Sequence, residues 1–329
     1  MRWYLAAALT LLALLVAGCG GEQGSVSAGN LQPDERAAVK AATPEAEPTA
    51  EQPAAMNLAD QPTEAVVELH PPAWSEAPTV RLGEPAPVVE AAAVVVLDEA
   101  SGAVLHEHNA RTPLPPASLT KIATAVVAIE HGELDRLVDI DVDGRDMPWS
   151  SLMGLRPGDR FTLHDLLYGL MLPSGNDAAL AIGRAVSGSD TAFVEEMNEL
   201  LARLGLTTSR FANPHGLGAP GHRASALDLA LLARYAMSLD EFVELSTATS
   251  WTANGNREIE MRNRNGFLGS YEGADGVKVG YTHRAGHTLV ASAGRDGNRV
   301  YVALLDAPKS AADAGKLLDW AFANHAWPE

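Results

Sequence analysis

After position 90, segments with strand-like patterns of apolar residues occur in two groups. Residues 91–97 are a dense apolar run, residues 98–102 read as a turn and residues 103–108 as a second strand, which together predict a β-hairpin. Three short strands are predicted in the last third of the chain: residues 276–282, 288–293 and 299–305. Asp296-Gly297, between the last two of these strands, is a hairpin-turn signal. The two groups together predict a sheet of five antiparallel strands.

Between the two groups, apolar residues take the three- and four-residue spacing of amphipathic helices. The first helix is predicted to open close to Ser118, after two prolines, and to end near His131. Thr162-x-x-Asp165 has the form of a capping box ahead of a helix that stops at Pro173. Further helices are predicted from about Asp177 and over 193–204, 225–237 and 311–325. The order of elements indicates an α+β fold, in which helices flank the five-stranded sheet and a helical region is inserted into it.

The N-terminal segment has the pattern of an export signal. Arg2 is followed by an apolar stretch, Leu5 to Ala17, which is too short for a stable membrane span. Val16-Ala17-Gly18-Cys19 resembles a bacterial lipobox, in which the signal is cleaved before a cysteine that is then lipidated. We therefore expect residues 1–18 to be a lipoprotein signal peptide and Cys19 to anchor the exported protein to the outer side of a bacterial membrane. An ordinary signal peptide with a chance cysteine is the alternative.

Residues 19–90 differ from the rest of the chain in composition. From Gly20 to Glu90 the sequence holds 10 of the 20 prolines, 12 acidic residues and 3 basic ones, so 9 of the 18 net negative charges lie here. Such a stretch buries too little apolar surface to offset its ordering entropy, and we expect a disordered tether. The folded domain is then 91–329.

A net charge of -18 argues against nucleic acid as a partner, because phosphates would be repelled.

Ser118-x-x-Lys121 is the first candidate for chemistry. Residues three apart lie on one face of a helix, so the hydroxyl and the amine would be adjacent. A serine hydroxyl is a weak nucleophile, and a lysine kept neutral by burial would accept its proton during attack. An exposed lysine behind an N-capping serine has the same sequence pattern, so this motif alone decides nothing.

Two more motifs follow in order, Ser174-Gly175-Asn176 between two helices and Lys278-Val279-Gly280 in a strand. With Ser118-x-x-Lys121 they resemble the S-x-x-K, S-x-N and K-T-G signatures of the penicillin-binding serine D-alanyl-D-alanine carboxypeptidases. Longer blocks resemble that family as well, among them Asn213-Pro214-His215-Gly216-Leu217. The resemblance covers about residues 90 to 325, and it implies a fold similar to that of β-lactamases and transpeptidases.

The resemblance also implies roles for these residues. Ser118 would be the acylated nucleophile and Lys121 the base that activates it. Ser174 would relay a proton, and Asn176 would bind both the substrate and Lys121. Lys278, Val279, Gly280 and Tyr281 would line the substrate site, with Lys278 attracting the substrate carboxylate. The backbone amides of Ser118 and Tyr281 would form the oxyanion hole. The implied substrate is a peptidoglycan stem peptide, and the implied inhibitors are β-lactams.

Val279 departs from the family pattern, because the threonine of K-T-G supplies a hydroxyl that helps to bind the substrate carboxylate. Thr282 is an odd number of residues away, so we expect it to face the other side of the strand. Losing one hydrogen bond to a charged group costs about 1.5–3 kcal/mol, which would slow turnover without abolishing it.

No metal site and no cofactor are expected. The histidine groups His106-Glu107-His108 and His283/His287 lack a third ligand at a suitable spacing. Asp177, the acid nearest to a motif, is expected to cap its helix.

Three alternatives to a carboxypeptidase that works through an acyl-enzyme remain open. A β-lactamase would use the same nucleophile but needs a group that activates water, which the sequence does not identify. An endopeptidase that cleaves cross-links would share every motif. A lipid-anchored domain that binds cell-wall peptide without cleaving it would explain Val279, although retention of Ser118 and Lys121 speaks against it.

Overall fold

The computed structural model describes residues 75–328. The expected signal peptide, Cys19 and most of the expected tether lie outside these residues. The described strands are β1 (Thr79–Val80), β2 (Ala93–Asp98), β3 (Val104–His108), β4 (Leu137–Asp139), β5 (Arg160–Thr162), β6 (Ser250–Asn254), β7 (Glu258–Arg262), β8 (Ala274–Thr282), β9 (Gly286–Arg295), β10 (Asn298–Leu305) and β11 (His325–Ala326). The helices are α1 (Lys121–His131), α2 (Leu163–Met171), α3 (Asn176–Ser187), α4 (Asp190–Arg203), α5 (Ala226–Ala236), α6 (Asp240–Thr247) and α7 (Ser310–Asn324). Within 75–328, no helix is both long enough and apolar enough to cross a membrane.

The central element is the predicted five-stranded antiparallel sheet, with strand order β3-β2-β10-β9-β8. Helices cover both faces of its middle strands. On β2, Val95 and Leu97 belong to the core that includes α5, whereas Val94 and Val96 belong to the core under α7. Burial on both faces explains why this strand reads as a continuous apolar run rather than an alternating one.

The region between β3 and β8 is the inserted helical region. Its helix α1 is buried along nearly its whole length and packs against α2, α3, α4, α5 and α6. The predicted N-cap of α2 is confirmed, since Thr162 Oγ1 accepts the Asp165 N–H at 3.0 Å, whereas the Asp165 carboxylate accepts the Trp251 indole N–H at 2.8 Å. The first predicted helix opens differently: a 3₁₀ turn, Ala117–Thr120, carries Ser118 and leads into α1 at Lys121. β8 is an edge strand, and it lies beside this turn.

Three elements of the inserted region were not predicted: the β4–β5 pair, helix α6 and the β6–β7 hairpin. The hairpin is mostly polar, and Ala253 and Met261 are its buried residues. Its apolar residues are too few to predict two strands. Trp251 holds it against the domain by stacking on Tyr168 at 3.9 Å between ring centroids. Tertiary packing, not local periodicity, specifies this hairpin.

Secondary structure is present before the expected domain boundary at residue 91. β1 pairs with β11 at the far end of the chain, and Asn324 at the end of α7 exchanges side-chain hydrogen bonds with the backbone of Glu84. Residues 79–84 therefore belong to the folded unit. The sequence around residues 79–84 is rich in proline and has no apolar periodicity, so it does not predict a strand. The segment with which it pairs lies about 240 residues further along the chain.

Candidate active site

A cavity of about 790 Å³ opens beside the edge strand β8. It brings together residues from the 3₁₀ turn, the α2–α3 connection and β8, which are distant in sequence. Six of the predicted site residues line it: Ser118, Ser174, Asn176, Val279, Gly280 and Tyr281. The other two predicted residues of the domain, Lys121 and Lys278, are buried. The cavity is therefore the candidate active site.

Lys121 occupies the centre of the hydrogen-bond pattern at this site. Its Nζ lies 3.2 Å from Ser118 Oγ, 2.7 Å from Asn176 Oδ1 and 2.7 Å from the backbone oxygen of His215. The 3₁₀ turn places the side chains of Ser118 and Lys121 on the same side of the chain, one turn apart, as their three-residue spacing predicts. The contacts to Asn176 and His215 come from the tertiary fold.

The environment of Lys121 favours its neutral form. The side chain is fully buried, and burial lowers the pKa of Lys121 well below its ordinary value, since the charged form loses its hydration. The charge of Lys278 lowers it further, and the carboxylate of Asp177 opposes the shift. A neutral amine beside a serine hydroxyl has the chemistry of a general base.

Ser174 lies on the connection between α2 and α3, and Asn176 is the first residue of α3, close to the inter-helix position that the sequence predicts. Ser174 has a left-handed backbone with φ of 64°, which is unfavourable for a residue with a side chain. Its Oγ is buried and has no hydrogen-bond partner within the described part of the chain. Strained backbone and an unpaired buried hydroxyl both cost stability, and such features cluster at functional sites.

Asp177 does not cap its helix as expected. The N-cap of α3 is Gly175, and the Asp177 carboxylate turns toward the preceding loop instead. It accepts the backbone N–H groups of Met153, Gly154 and Leu155 at 2.8–2.9 Å, and the N–H of Ala178 as well. A loop carrying several backbone donors competes successfully for this acceptor, because its N–H groups would otherwise be buried without partners. Asp177 thus anchors the loop that leads to the cavity wall.

Lys278 lies on β8 with its side chain buried and its Nζ donating to the Val279 carbonyl at 3.1 Å. Burial lowers the pKa of Lys278 to about 7, and the positive charge of Arg264 contributes. Arg264, which the sequence reasoning missed, lines the cavity and donates to Ser151 Oγ at 2.8 Å. The two basic groups give this end of the cavity a positive potential.

Val279 lines the cavity and also packs against the core under α7. Thr282 also lines the cavity, and the regular pairing of β8 with β9 from Val279 to Thr282 keeps it on the face of the strand opposite that of Val279, as expected. Its Oγ1 accepts the Ala285 N–H at 3.0 Å, where β8 ends in the turn to β9. The hydroxyl that a threonine at position 279 would supply is therefore not replaced from the same face of the strand.

Gly280 is required by a close approach between β8 and the 3₁₀ turn. A Cβ atom on Gly280 would lie 2.8 Å from the backbone nitrogen of Ser118 and 2.6 Å from Thr288 Oγ1. The backbone of the K-x-G motif therefore packs directly on the nucleophile's own amide. This is a physical reason for glycine at the third position of the motif.

The mouth of the cavity has a partly apolar rim. Trp149, Leu217 and Tyr281 are exposed large hydrophobic residues, and all three line the cavity. Trp149 is fully exposed and has a left-handed backbone with φ of 64°. His283 and His287 lie beside Tyr281, with ring centroids 5.9 and 4.7 Å away. Within residues 75–328, no group of three or more His, Cys, Asp or Glu side chains is arranged to hold a metal ion.

Comparisons with known proteins agree with this geometry. A family model described as D-alanyl-D-alanine carboxypeptidase, peptidase family S11, matches residues 81–309. D-alanyl-D-alanine carboxypeptidase DacC of Escherichia coli K12 is 38% identical over 252 residues, which are 72% of this chain and 62% of that protein. DacB2 of Mycobacterium tuberculosis is 34% identical over 260 residues, 76% of this chain and 89% of that protein.

Solved structures show the same fold. The Streptomyces K15 DD-transpeptidase superposes with a TM-score of 0.70 at 31% identity, covering 73% of this chain and all of that one. Penicillin-binding protein 6B of Escherichia coli superposes with a TM-score of 0.68 at 35% identity, covering 75% and 81%. The match spans less than two thirds of DacC, so that relative is considerably longer than the shared region. The family model covers residues 81–309, and a relative at 34% identity is covered over 89% of its length, so the chain belongs to the D-alanyl-D-alanine carboxypeptidase family.

Proposed function

We propose that this protein is a serine peptidase that removes the terminal D-alanine from peptidoglycan stem peptides through an acyl-enzyme on Ser118. The observation that carries the proposal is the hydrogen bonding of the buried amine of Lys121. A neutral amine has two N–H donors and one lone pair. The His215 carbonyl oxygen only accepts, and so does Asn176 Oδ1, so these two short contacts use both donors. The lone pair is then left for the hydroxyl proton of Ser118.

In the proposed reaction, Ser118 Oγ attacks the carbonyl carbon of the scissile peptide bond while its proton moves to Lys121 Nζ. The charge that develops on the substrate oxygen is stabilised by the backbone N–H groups of Ser118 and Tyr281. The close approach of Gly280 to the Ser118 nitrogen, which brings the strand that carries Tyr281 next to the Ser118 amide, supports this assignment. The carbon–nitrogen bond then breaks, and D-alanine leaves as a neutral amine after gaining a proton.

Ser174 is proposed to carry that proton from Lys121 to the departing nitrogen. Ser174 lines the cavity, and its buried Oγ has no partner among the described residues, so it is available to accept from one group and donate to another. Lys278 and Arg264 are proposed to attract the terminal carboxylate of the substrate. Water then hydrolyses the ester on Ser118 and releases the shortened peptide.

The β-lactamase alternative requires a group that activates water against the acyl-enzyme. Asp177 is the acid nearest to the motifs, and both of its carboxylate oxygens accept backbone N–H groups. Because these hydrogen bonds occupy both oxygens, Asp177 is unsuitable as a base that activates water. We therefore expect the penicilloyl ester on Ser118 to be hydrolysed slowly. An endopeptidase remains a second outcome of the experiment below.

The proposal is tested by incubating the purified protein with a D-alanyl-D-alanine peptide and measuring released D-alanine, in parallel with labelling by a fluorescent penicillin. Ser118→Ala is expected to lose both signals, and Lys121→Ala most of the labelling rate. Ser310→Ala, which alters another hydroxyl of the cavity lining, is the matched control and should retain both. A label that persists in Ser118→Ala rules out this nucleophile. Cleavage of a cross-linked peptide dimer without release from the monomer would indicate an endopeptidase.

We also propose that residues 1–18 are removed as a lipoprotein signal peptide, that lipidated Cys19 holds the protein on the outer side of a bacterial membrane, and that the residues after it form a tether to the peptidase domain. The short apolar stretch, the lipobox-like sequence and the proline-rich, acidic segment support this. Detergent partitioning of the full chain and of Cys19→Ala tests it. If Cys19→Ala remains in the membrane fraction, the lipid anchor is wrong.

A further inference from the structure

The peptide unit that joins Ala117 to Ser118 lies at a crowded point of the site. Ala117 is buried and has a left-handed backbone with φ of 51°. A Cβ atom on Gly216 would lie 1.9 Å from the Ala117 oxygen, and one on Gly280 would lie 2.8 Å from the Ser118 nitrogen. Two glycines therefore pack against this one peptide unit, Gly216 against its carbonyl oxygen and Gly280 against its nitrogen. The N–H of that unit is the oxyanion donor in the proposed mechanism.

A chain of hydrogen bonds reaches this peptide unit from His222, more than 100 residues away along the chain. Thr120 Oγ1 donates to the Ala117 carbonyl at 2.9 Å. The same Oγ1 lies 2.8 Å from Nε2 of His222, a residue 102 positions further along the chain. His222 Nδ1 accepts the backbone N–H of Ala212 at 3.0 Å. Thr120 and His222 are both buried.

The direction of every bond in this chain follows from its ends. A backbone N–H only donates, so the lone pair of His222 must lie on Nδ1 and its proton on Nε2. Nε2–H then donates to Thr120 Oγ1, which in turn donates to the Ala117 carbonyl. Burial lowers the pKa of His222 to about 4, so the neutral imidazole that this pattern requires is the form present near neutral pH.

We propose that His222 is a positioning residue for catalysis: through Thr120 it fixes and polarises the Ala117–Ser118 peptide, whose N–H stabilises the oxyanion. Hydrogen bonds in a chain strengthen one another, and a bond accepted by a peptide carbonyl makes the N–H of the same peptide a better donor. The bond also holds the left-handed turn at Ala117 in place. This inference rests on the proposed acyl-enzyme at Ser118.

The chain offers variants that separate positioning from packing. His222 packs against Phe211 at 5.5 Å between ring centroids, so His222→Phe keeps an aromatic ring there and removes both hydrogen bonds. His222→Gln supplies one acceptor for the Ala212 N–H and one donor for Thr120. Thr120→Val keeps the side-chain shape without a hydroxyl, and Thr120→Ser keeps the hydroxyl.

The experiment measures acylation of the full chain by a fluorescent penicillin over a range of concentrations, which separates the maximal acylation rate from the apparent affinity. His222→Phe and Thr120→Val are each expected to lower the maximal rate by about tenfold to a hundredfold, because they weaken one oxyanion donor, whereas outright removal of such a donor costs about a hundredfold to a thousandfold. Apparent affinity should change by no more than about twofold, since ground-state contacts are kept. The double variant should be no slower than either single one, because one chain of bonds is broken in each. His222→Gln and Thr120→Ser should recover most of the rate.

Additive losses in the double variant, a change in affinity alone, or a His222→Gln protein as slow as His222→Phe would overturn the proposal. Thermal unfolding of each variant is measured alongside. If His222→Phe does not fold, the Thr120→Val and Thr120→Ser pair decides the question by the same rate comparison. An unmodified protein that takes up no label would refute the proposed function instead, and that result is distinct from all of these.

Discussion

The backbone of Gly280 lies directly against the backbone N–H of Ser118, at a distance that leaves no room for a side chain. The edge strand of the sheet and the turn that carries the nucleophile thus form one rigid surface. The oxyanion hole proposed above depends on this contact, since one donor comes from each side of it.

Gly280→Ala should lower the rate of acylation by about a hundredfold, the effect expected when reacting groups are displaced by about 1 Å. The added methyl group would meet the Ser118 nitrogen and Thr288 Oγ1 and push β8 away from the turn. Gly294→Ala on β9 is the matched control, because its Cβ would have no neighbour closer than 3.8 Å. Penicillin labelling of both variants measures the effect. Equal rates in the two would show that the close approach has no role in catalysis.

Val279→Thr should raise kcat/KM for peptides with a free terminal carboxylate. The added hydroxyl would face the cavity beside the positive charges of Lys278 and Arg264, and a recovered charge-assisted hydrogen bond corresponds to about 1.5–3 kcal/mol, or about tenfold to a hundredfold in rate. A peptide amidated at its C-terminus should gain nothing. Val104→Thr, on the opposite edge of the sheet, controls for the substitution itself. An unchanged or slower reaction of the free acid would remove the carboxylate-anchoring explanation.

The pH profile of kcat/KM for a free-acid peptide should fall on its alkaline side near the pKa of Lys278, about 7. Above that pH Lys278 loses its charge and with it the attraction for the carboxylate. On the acid side the rate should rise with pH as Lys121 becomes neutral, at a pKa well below the ordinary value for lysine. An amidated peptide should keep the acid limb and lose the alkaline one. An alkaline limb common to both peptides would mean that another group titrates there.

Lys278→Met should make the domain more stable at pH 6 while lowering activity. The pKa of Lys278 is about 7 in the folded protein and 10.5 ordinarily, so between these values the unfolded chain binds more protons. The stability of the natural protein therefore rises with pH across that window, and the burial cost is fully present below pH 7. Each pKa unit corresponds to about 1.4 kcal/mol, and after relaxation we expect a gain of about 2 kcal/mol at pH 6.

Urea unfolding at pH 6 and pH 9 measures this gain, and its size should shrink at the higher pH. Lys309→Met changes an exposed lysine and is the control, with little effect at either pH. A Lys278→Met protein that is less stable at pH 6 would show that the buried amine contributes packing or hydrogen bonding that outweighs its desolvation.

Asp177→Asn should destabilise the domain by about 3 kcal/mol and raise KM. The amide would keep one acceptor but place a donor against backbone N–H groups that the carboxylate now satisfies. The loop that leads to the cavity wall would loosen. Asp141→Asn, an exposed carboxylate paired with Arg184, is the control and should cost less than about 1 kcal/mol. Denaturant unfolding and peptide kinetics together test this, and equal losses in the two variants would contradict the anchoring role.

Much of the fold was predictable because its signals are local. The middle strands β2, β9 and β10 are buried over most of their length, the turn between β9 and β10 carries Asp296-Gly297, and the N-cap at Thr162 marks the start of α2. The pairing of Ser118 with Lys121 also follows from spacing, since a three-residue separation in a helical turn brings two side chains together. The sequence by itself thus determined the fold class and the residues from which the site is assembled.

Contacts between distant segments were decided by the tertiary structure alone. Lys121 meets Asn176 across 55 residues and the His215 carbonyl across 94, and no periodicity encodes those distances. The same holds for β1, whose partner β11 is at the other end of the domain. The short-range capping rule predicts that Asp177 caps its own helix, whereas the loop at 153–155 supplies three backbone N–H donors that its carboxylate accepts instead. The pKa values of Lys121 and Lys278 depend on burial and on neighbouring charges, and both arise only when the chain packs, so the chemistry of this site is a property of the fold.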